Sequence, residues 1–171
     1  MKRFATLTLL CCVAAIAVHA QRFALIDMEY ILKHIPAYGQ ATSQMETSSK
    51  KWQSEVEAVT NEAKSLYENY QNTAKTLSDA QKKQKEEAIV AKEKQANDLR
   101  RKYFGPEGEL YKQRESLMAP IQDQIYNAVK EISTQKGYSL VLDRASDNSI
   151  IFASPAIDIS DDILARLGYS N

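Results

Sequence analysis

From Met45 onward, positions 45, 49, 52, 56, 59, 63, 66, 70, 73 and 77 recur in alternating steps of four and three, and they carry Met, Ser, Trp, Val, Val, Ala, Leu, Tyr, Thr and Leu. Eight of the ten are apolar or aromatic, and the residues between them are largely charged or polar. A 3.5-residue repeat holds such a stripe on one face of a helix, which is the pattern of a coiled-coil seam. A seam this long has to be covered by another helix. Ser78-Asp79, two residues that favour helix N-caps, follow at once, and a second charged helical stretch begins at Ala80. The chain is therefore expected to reverse near 78–81.

The returning stretch carries a thinner stripe, Ile89, Ala96, Leu99 and Tyr103, which resumes at Leu110, Leu117, Ile121, Ile125, Ala128 and Ile132 after Gly105-Pro106-Glu107-Gly108. The midpoint of 43–119 falls at 81, so two arms of matched length result, each about 35 residues and roughly 50 Å long at 1.5 Å per residue. Such an arm must project from whatever body it is joined to. The Gly-Pro-Glu-Gly segment predicts a kink or bulge in the returning arm, because proline removes an intrahelical bond and glycine adds freedom.

Both ends of the chain read as a small body. Arg22 to Asp27 is a short apolar run without helical period, expected to be a strand buried on both faces. Ile35 to Gly39 reads as a loop, since proline and glycine lie three apart. Ile121 to Gln135 reads as a helix with Gly137 at its C-terminus, followed by strand-like runs at Tyr138 to Asp143 and Ile150 to Ala153, a β-hairpin across the polar stretch 144–149. Ser160 is expected to cap a last helix over Asp161 to Leu167, closed by Gly168. The fold class is α+β, mostly α: a long antiparallel helical hairpin on a small β body. The organisation is 1–20 leader, 21–42 body, 43–119 arm, 120–171 body. Three strands from opposite chain ends make a minimal sheet that one protomer covers poorly.

Met1 to Ala20 begins with Lys2 and Arg3, continues through an apolar run to Val18 and ends Val18-His19-Ala20. This is the layout of a secretory signal peptide cleaved after Ala20, and the apolar run is short of the about 20 residues a membrane span needs. Cys11 and Cys12, the two cysteines of the chain, both lie in it. A mature chain without thiols excludes disulfides, thiolate sites and His/Cys zinc sites, so stability has to come from helix packing, oligomerisation or both. Removing Lys2 and Arg3 leaves 20 basic against 22 acidic side chains, while the stretch 75–102 is locally basic.

Little catalytic chemistry is visible. His34 is the lone histidine after the leader, and the Gly-Pro-Glu-Gly segment lacks the lysine and hydroxyl of a phosphate loop. Asp27 and Asp143 both end strand-like runs, which invites a paired-carboxylate hydrolase, but acids there more often bind turn and helix donors. No enzyme activity, cofactor, metal or nucleic-acid partner is expected.

The early FALID strand, the charged helical hairpin, Leu117-Met118-Ala119-Pro120-Ile121, the segment from Ala128-Val129-Lys130-Glu131-Ile132 through Tyr138 to Asp143, and the ending Asp158-Ile159-Ser160 to Leu167-Gly168-Tyr169 together resemble the Skp/OmpH family of periplasmic chaperones. The resemblance covers essentially the whole mature chain. It implies a homotrimer whose strands assemble one β body carrying three helical tentacles around a cavity. It also implies an ATP-independent holdase for unfolded outer-membrane β-barrel proteins, located in the periplasm. Known members are strongly basic and this chain is not, so a weak contact with membrane lipid is all that its basic middle suggests, and no lipopolysaccharide-binding set is transferred. On this reading Tyr67, Tyr111, Lys82, Lys83 and Lys85 are client-contact candidates, and Trp52 and Tyr70 on the seam pack the arm. Phe23, Leu25, Leu140, Leu142 and Ile151 build either the trimer body or the protomer's own core. The alternative function is a structural coiled-coil adaptor or spacer of the envelope.

Overall fold

The computed structural model describes residues 22–146 and 150–169. The leader of the chain, including the predicted cleavage point after Ala20, lies outside the described residues. The elements run β1 (Arg22–Ile26), α1 (Met28–Lys33), α2 (Pro36–Thr73), α3 (Asp79–Phe104), α4 (Glu109–Lys136), β2 (Tyr138–Asp143) and α5 (Ser160–Leu167), with 3-10 turns at Ala74–Thr76 and Pro155–Ile157. They divide into two compact units, one of residues up to His34 and from Ile125 on, the other Ile35–Gln124.

The unit Ile35–Gln124 is built on the antiparallel pair α2 and α3. Its start differs from the sequence reading, which placed a loop at 35–39. Ile35 adopts the extended conformation that a following proline enforces, and Pro36 occupies the first helical position, where its missing N–H costs no hydrogen bond. Proline here begins the helix, and Gly39 is carried inside it. At the far end Ser78 forms a capping box with Gln81: the Gln81 amide donates to Ser78 Oγ and the Ser78 amide to Gln81 Oε1 at 2.9 Å. Asn69 with Lys85, Glu62 with Lys92 and Glu55 with Tyr103 meet in an order that descends α2 as it climbs α3, with Tyr70 bonded to Glu86 beside the first pair, which fixes the antiparallel register.

The heptad stripe faces the partner helix. Val56 and Ala63 from α2 and Ile89, Ala96 and Tyr103 from α3 are buried, and of the seam positions in α2 only Leu66 is exposed. Apolar burial on one face stabilises the pair. The ion pairs on its surface, such as Lys83–Glu87 at 4.0 Å, contribute at most about 1 kcal/mol each.

The expected kink is a complete break. The α3 helix stops at Phe104, four residues leave the helix, and α4 starts at Glu109. Gly105 N donates to Arg101 O at 2.9 Å, Gly108 N to Gly105 O at 2.9 Å, and Gly108 O accepts from Lys112 N at 3.1 Å, so backbone hydrogen bonds run through the break. The glycines are needed for space. A Cβ on Gly105 would stand 2.4 Å from Arg101 O, and one on Gly108 would stand 2.8 Å from Tyr103 O. Beyond the break α4 runs through Pro120, which forgoes one intrahelical bond.

In the other unit, β1 and β2 form a two-stranded parallel sheet with Phe23 opposite Leu140 and Leu25 opposite Leu142. Parallel strands require a crossover, and here the three long helices supply it. The predicted β-hairpin is not formed. Ile150 to Ala153 makes no strand, and part of its proposed turn, 147–149, lies outside the described residues. Instead a stretch further on reaches β1: Leu25 bridges Asp158, and Ile159 N donates to Leu25 O at 2.9 Å. Ile31, Ile125, Ile132, Ile163 and Leu164 are buried in this unit beside Ala24, Leu25 and Ile26 of β1. Gly137 and Gly168 adopt φ of 69° and 84°, the left-handed conformation that ends α4 and α5.

Candidate functional site

Two surfaces and one polar cluster hold the candidate functional residues. The cluster joins the ends of both strands to the start of α5. Asp27 N-caps α1, its Oδ1 accepting from Tyr30 N at 2.9 Å, and its Oδ2 pairs with Arg144 at 3.1 Å. Asp143 Oδ1 accepts from Met28 N and Ala145 N, both at 3.0 Å, while its other oxygen takes the Ser146 hydroxyl. Asp158 completes the set, 3.4 Å from Arg144 and accepting from Ser160 Oγ at 2.6 Å. Ser160 was expected to cap α5, but it lies inside the helix, buried. Its hydroxyl accepts from Asp27 N at 2.8 Å, and Ile159 takes the cap position. The strand-end carboxylates thus come together, as a hydrolase would need, yet their oxygens are engaged by backbone amides, an arginine and hydroxyls. The arrangement ties β1, β2 and α5 to one another.

The first surface is the β1–β2 face. Of the five body candidates Leu25 is buried in the protomer. Phe23, Leu140 and Leu142 are 48, 45 and 37% exposed, and Ile151 is 98% exposed. Phe152, which the sequence reading passed over, is 85% exposed beside it. Its membership in the run Ile150-Ile151-Phe152 was the signal that could have found it. Large apolar side chains exposed together on a two-stranded sheet mark an interaction surface.

The second surface runs along the hairpin. Tyr67 is half exposed, its hydroxyl accepting from Gln71, and Tyr111 is half exposed on α4. Leu66 and Val90 are exposed as well, within the levels bounded by Glu62–Lys92 and Tyr70–Glu86. The sequence reading missed Val90 because it falls beside Ile89, which takes the seam. The three lysine candidates are partly engaged: Lys82 lies 3.8 Å from Asp79, Lys83 lies 4.0 Å from Glu87, and Lys85 donates to Asn69 at 2.7 Å. Trp52 and Tyr70 pack the arm, Trp52 stacked on Tyr103 and Tyr70 hydrogen-bonded to Glu86. Donation to Glu86 and Glu55 holds the Tyr70 and Tyr103 phenols above their ordinary value, since ionisation would set two negative charges side by side. Among the described residues no cluster of His, Cys, Asp and Glu is placed to hold a metal, and no helix is long and apolar enough to cross a membrane.

Comparison with known proteins matches this architecture. The sequence model of the OmpH-like outer membrane protein family matches residues 22–167. The chaperone protein Skp of Yersinia enterocolitica is 23% identical over 156 residues, 90% of each chain. That of Pectobacterium atrosepticum is 22% identical over 157 residues, 86% of each chain. The crystal structure of an OmpH-like outer membrane chaperone from Caulobacter crescentus shares the fold, with a TM-score of 0.66 at 13% identity over 86% of this chain and 83% of that one.

Proposed function

The chain belongs to the OmpH-like outer membrane protein family, and from that membership we propose that it is an ATP-independent periplasmic holdase, exported by a signal peptide removed after Ala20, that encloses unfolded outer-membrane β-barrel proteins between the helical arms of a homotrimer. The observation that carries the reading is the set of exposed apolar and aromatic side chains distributed along long helices, Leu66 on the seam and Tyr67, Val90 and Tyr111 off it. An unfolded barrel protein exposes apolar and polar groups in alternation. A receptor for it needs many weak contacts over a large area, and several arms around one client raise the effective concentration for rebinding. No fuel is required, because folding of the client removes the surface the arms hold.

The exposed Phe23, Leu140 and Leu142 favour the trimer: burying them between copies completes a core that the two-stranded sheet leaves open. Lys82, Lys83 and Lys85, at the turn end of the hairpin, add charge contacts to clients and a weak contact to membrane lipid. The test is the molar mass of the mature protein in solution, alone and with a urea-unfolded barrel protein, together with light scattering of the diluted client without ATP. The reading expects three times the protomer mass, a soluble complex and suppressed scattering. A monomer that leaves aggregation unchanged overturns it, and capture of one folded protein in fixed stoichiometry would favour the adaptor.

A further inference from the structure

In the unit Ile35–Gln124, one groove is lined from α2 by Tyr38, Thr42 and Met45 and from α4 by Leu110, Arg114 and Met118. Both methionines line the groove and are half buried, neither sealed in a core nor fully in solvent. Methionine serves such a place because its unbranched, polarizable chain fills irregular gaps between helices. Its oxidation turns an apolar side chain into a polar one with a strong acceptor oxygen. Arg114 stands in the same groove, and its side chain makes no ion pair or hydrogen bond among the described residues.

We propose that Met45 and Met118 form a paired methionine oxidation site, where conversion to sulfoxide by a peroxide loosens the contact between α2 and α4 and Arg114 receives the new oxygen. With hydrogen peroxide, a sulfur lone pair attacks one oxygen and the S–O bond forms as the O–O bond breaks. The departing hydroxide takes the proton from the transferred oxygen and leaves as water, so the thioether loses two electrons and the peroxide gains two. Both residues sit where apolar contact matters, Met45 as the first position of the heptad seam and Met118 on the return. A sulfoxide there must either be solvated, which opens the groove, or find a donor, and Arg114 is the donor at hand.

The experiment treats the folded mature protein with hydrogen peroxide, maps each methionine by peptide mass, and follows amide hydrogen exchange. The expected result is a sulfoxide at both positions and about tenfold faster exchange across 38–49 and 110–118, the factor that ~1.4 kcal/mol of lost local stability produces. Methionine sulfoxide reductase should restore the original rates, and the double variant Met45→Leu/Met118→Leu, close in volume, should show no acceleration on treatment. In Arg114→Gln the same oxidation should raise exchange further. The proposal is overturned if the two methionines stay reduced under conditions that oxidise the urea-unfolded chain. It is equally overturned if both sulfoxides form without change in exchange, or if the leucine variant accelerates as much as the parent.

Discussion

The ring of Tyr103, in the last turn of α3, lies flat on that of Trp52 in α2, with centroids 5.1 Å apart and planes 6° from parallel, while its hydroxyl donates to Glu55 at 2.5 Å. Tyr103 is thus joined to α2 by an apolar contact with Trp52 and a polar one with Glu55, two residues before the break at Gly105. Trp52→Ala should cost about 2 kcal/mol, combining the lost stacking with a half-buried cavity. Urea unfolding followed by circular dichroism measures it, and Trp52→Phe should recover most of the loss.

Alkaline pH should weaken the hairpin. The Tyr70 and Tyr103 phenols are raised above 10 by hydrogen bonds to Glu86 and Glu55, so the folded state holds these protons more tightly than the unfolded chain does. Their contribution is complete below the ordinary phenol value and is lost as pH climbs through the raised ones. Lys136 acts in the same direction in the other unit, held above 10.5 by Asp162. Melting temperature measured from pH 8 to 12 should fall most steeply above pH 10, and the double variant Tyr70→Phe/Tyr103→Phe should flatten that fall.

The glycines should respond with opposite sign. Gly105→Ala drives a Cβ into the backbone carbonyl of Arg101 and should destabilise by about 2 kcal/mol or more. Gly39→Ala places a Cβ where nothing lies within 4 Å, inside the α2 helix, and should stabilise by roughly 0.5 to 1 kcal/mol. Denaturation midpoints of both variants against the parent read the contrast, and a neutral Gly105→Ala would contradict the close approach.

Ser160→Ala should cost about 1 kcal/mol, because it strips the part-buried Asp27 N–H of its acceptor and removes the donor to Asp158. Asp27→Asn should be milder, since asparagine caps a helix about as well as aspartate and only the pairing with Arg144 is lost. Thermal melts of the two variants, with aggregation suppression measured alongside, separate this structural role from a catalytic one.

What the sequence disclosed best was the part written in periodicity. The 3.5-residue stripe from Met45 to Leu77 identified the face of α2 that α3 covers, and Ser78 marked the start of the return, because both signals are local. Proline and glycine were less legible: Pro36 and Gly39 look like breakers, yet Pro36 opens α2, and the use of Gly105 and Gly108 depends on carbonyls that a sequence does not place. Strand pairing is non-local, so Ile150 to Ala153 looked like the partner of Tyr138 to Asp143 although β2 lies against β1 and Asp158 bridges β1 from farther along the chain. For the same reason Ser160 was read as a cap. Its actual partner, the amide of Asp27, is 133 residues away.

The pairing of β1 with β2 also sets an order of events during biosynthesis. Arg22 to Ile26 is synthesised early, and its partner, Tyr138 to Asp143, is made only after every long helix. Until then the early strand has an unpaired edge and the helices are free to zip together on local contacts. A polypeptide truncated between Phe104 and Tyr138 would keep its paired helices and never close its sheet, so strand β2 acts as the signature of a finished chain.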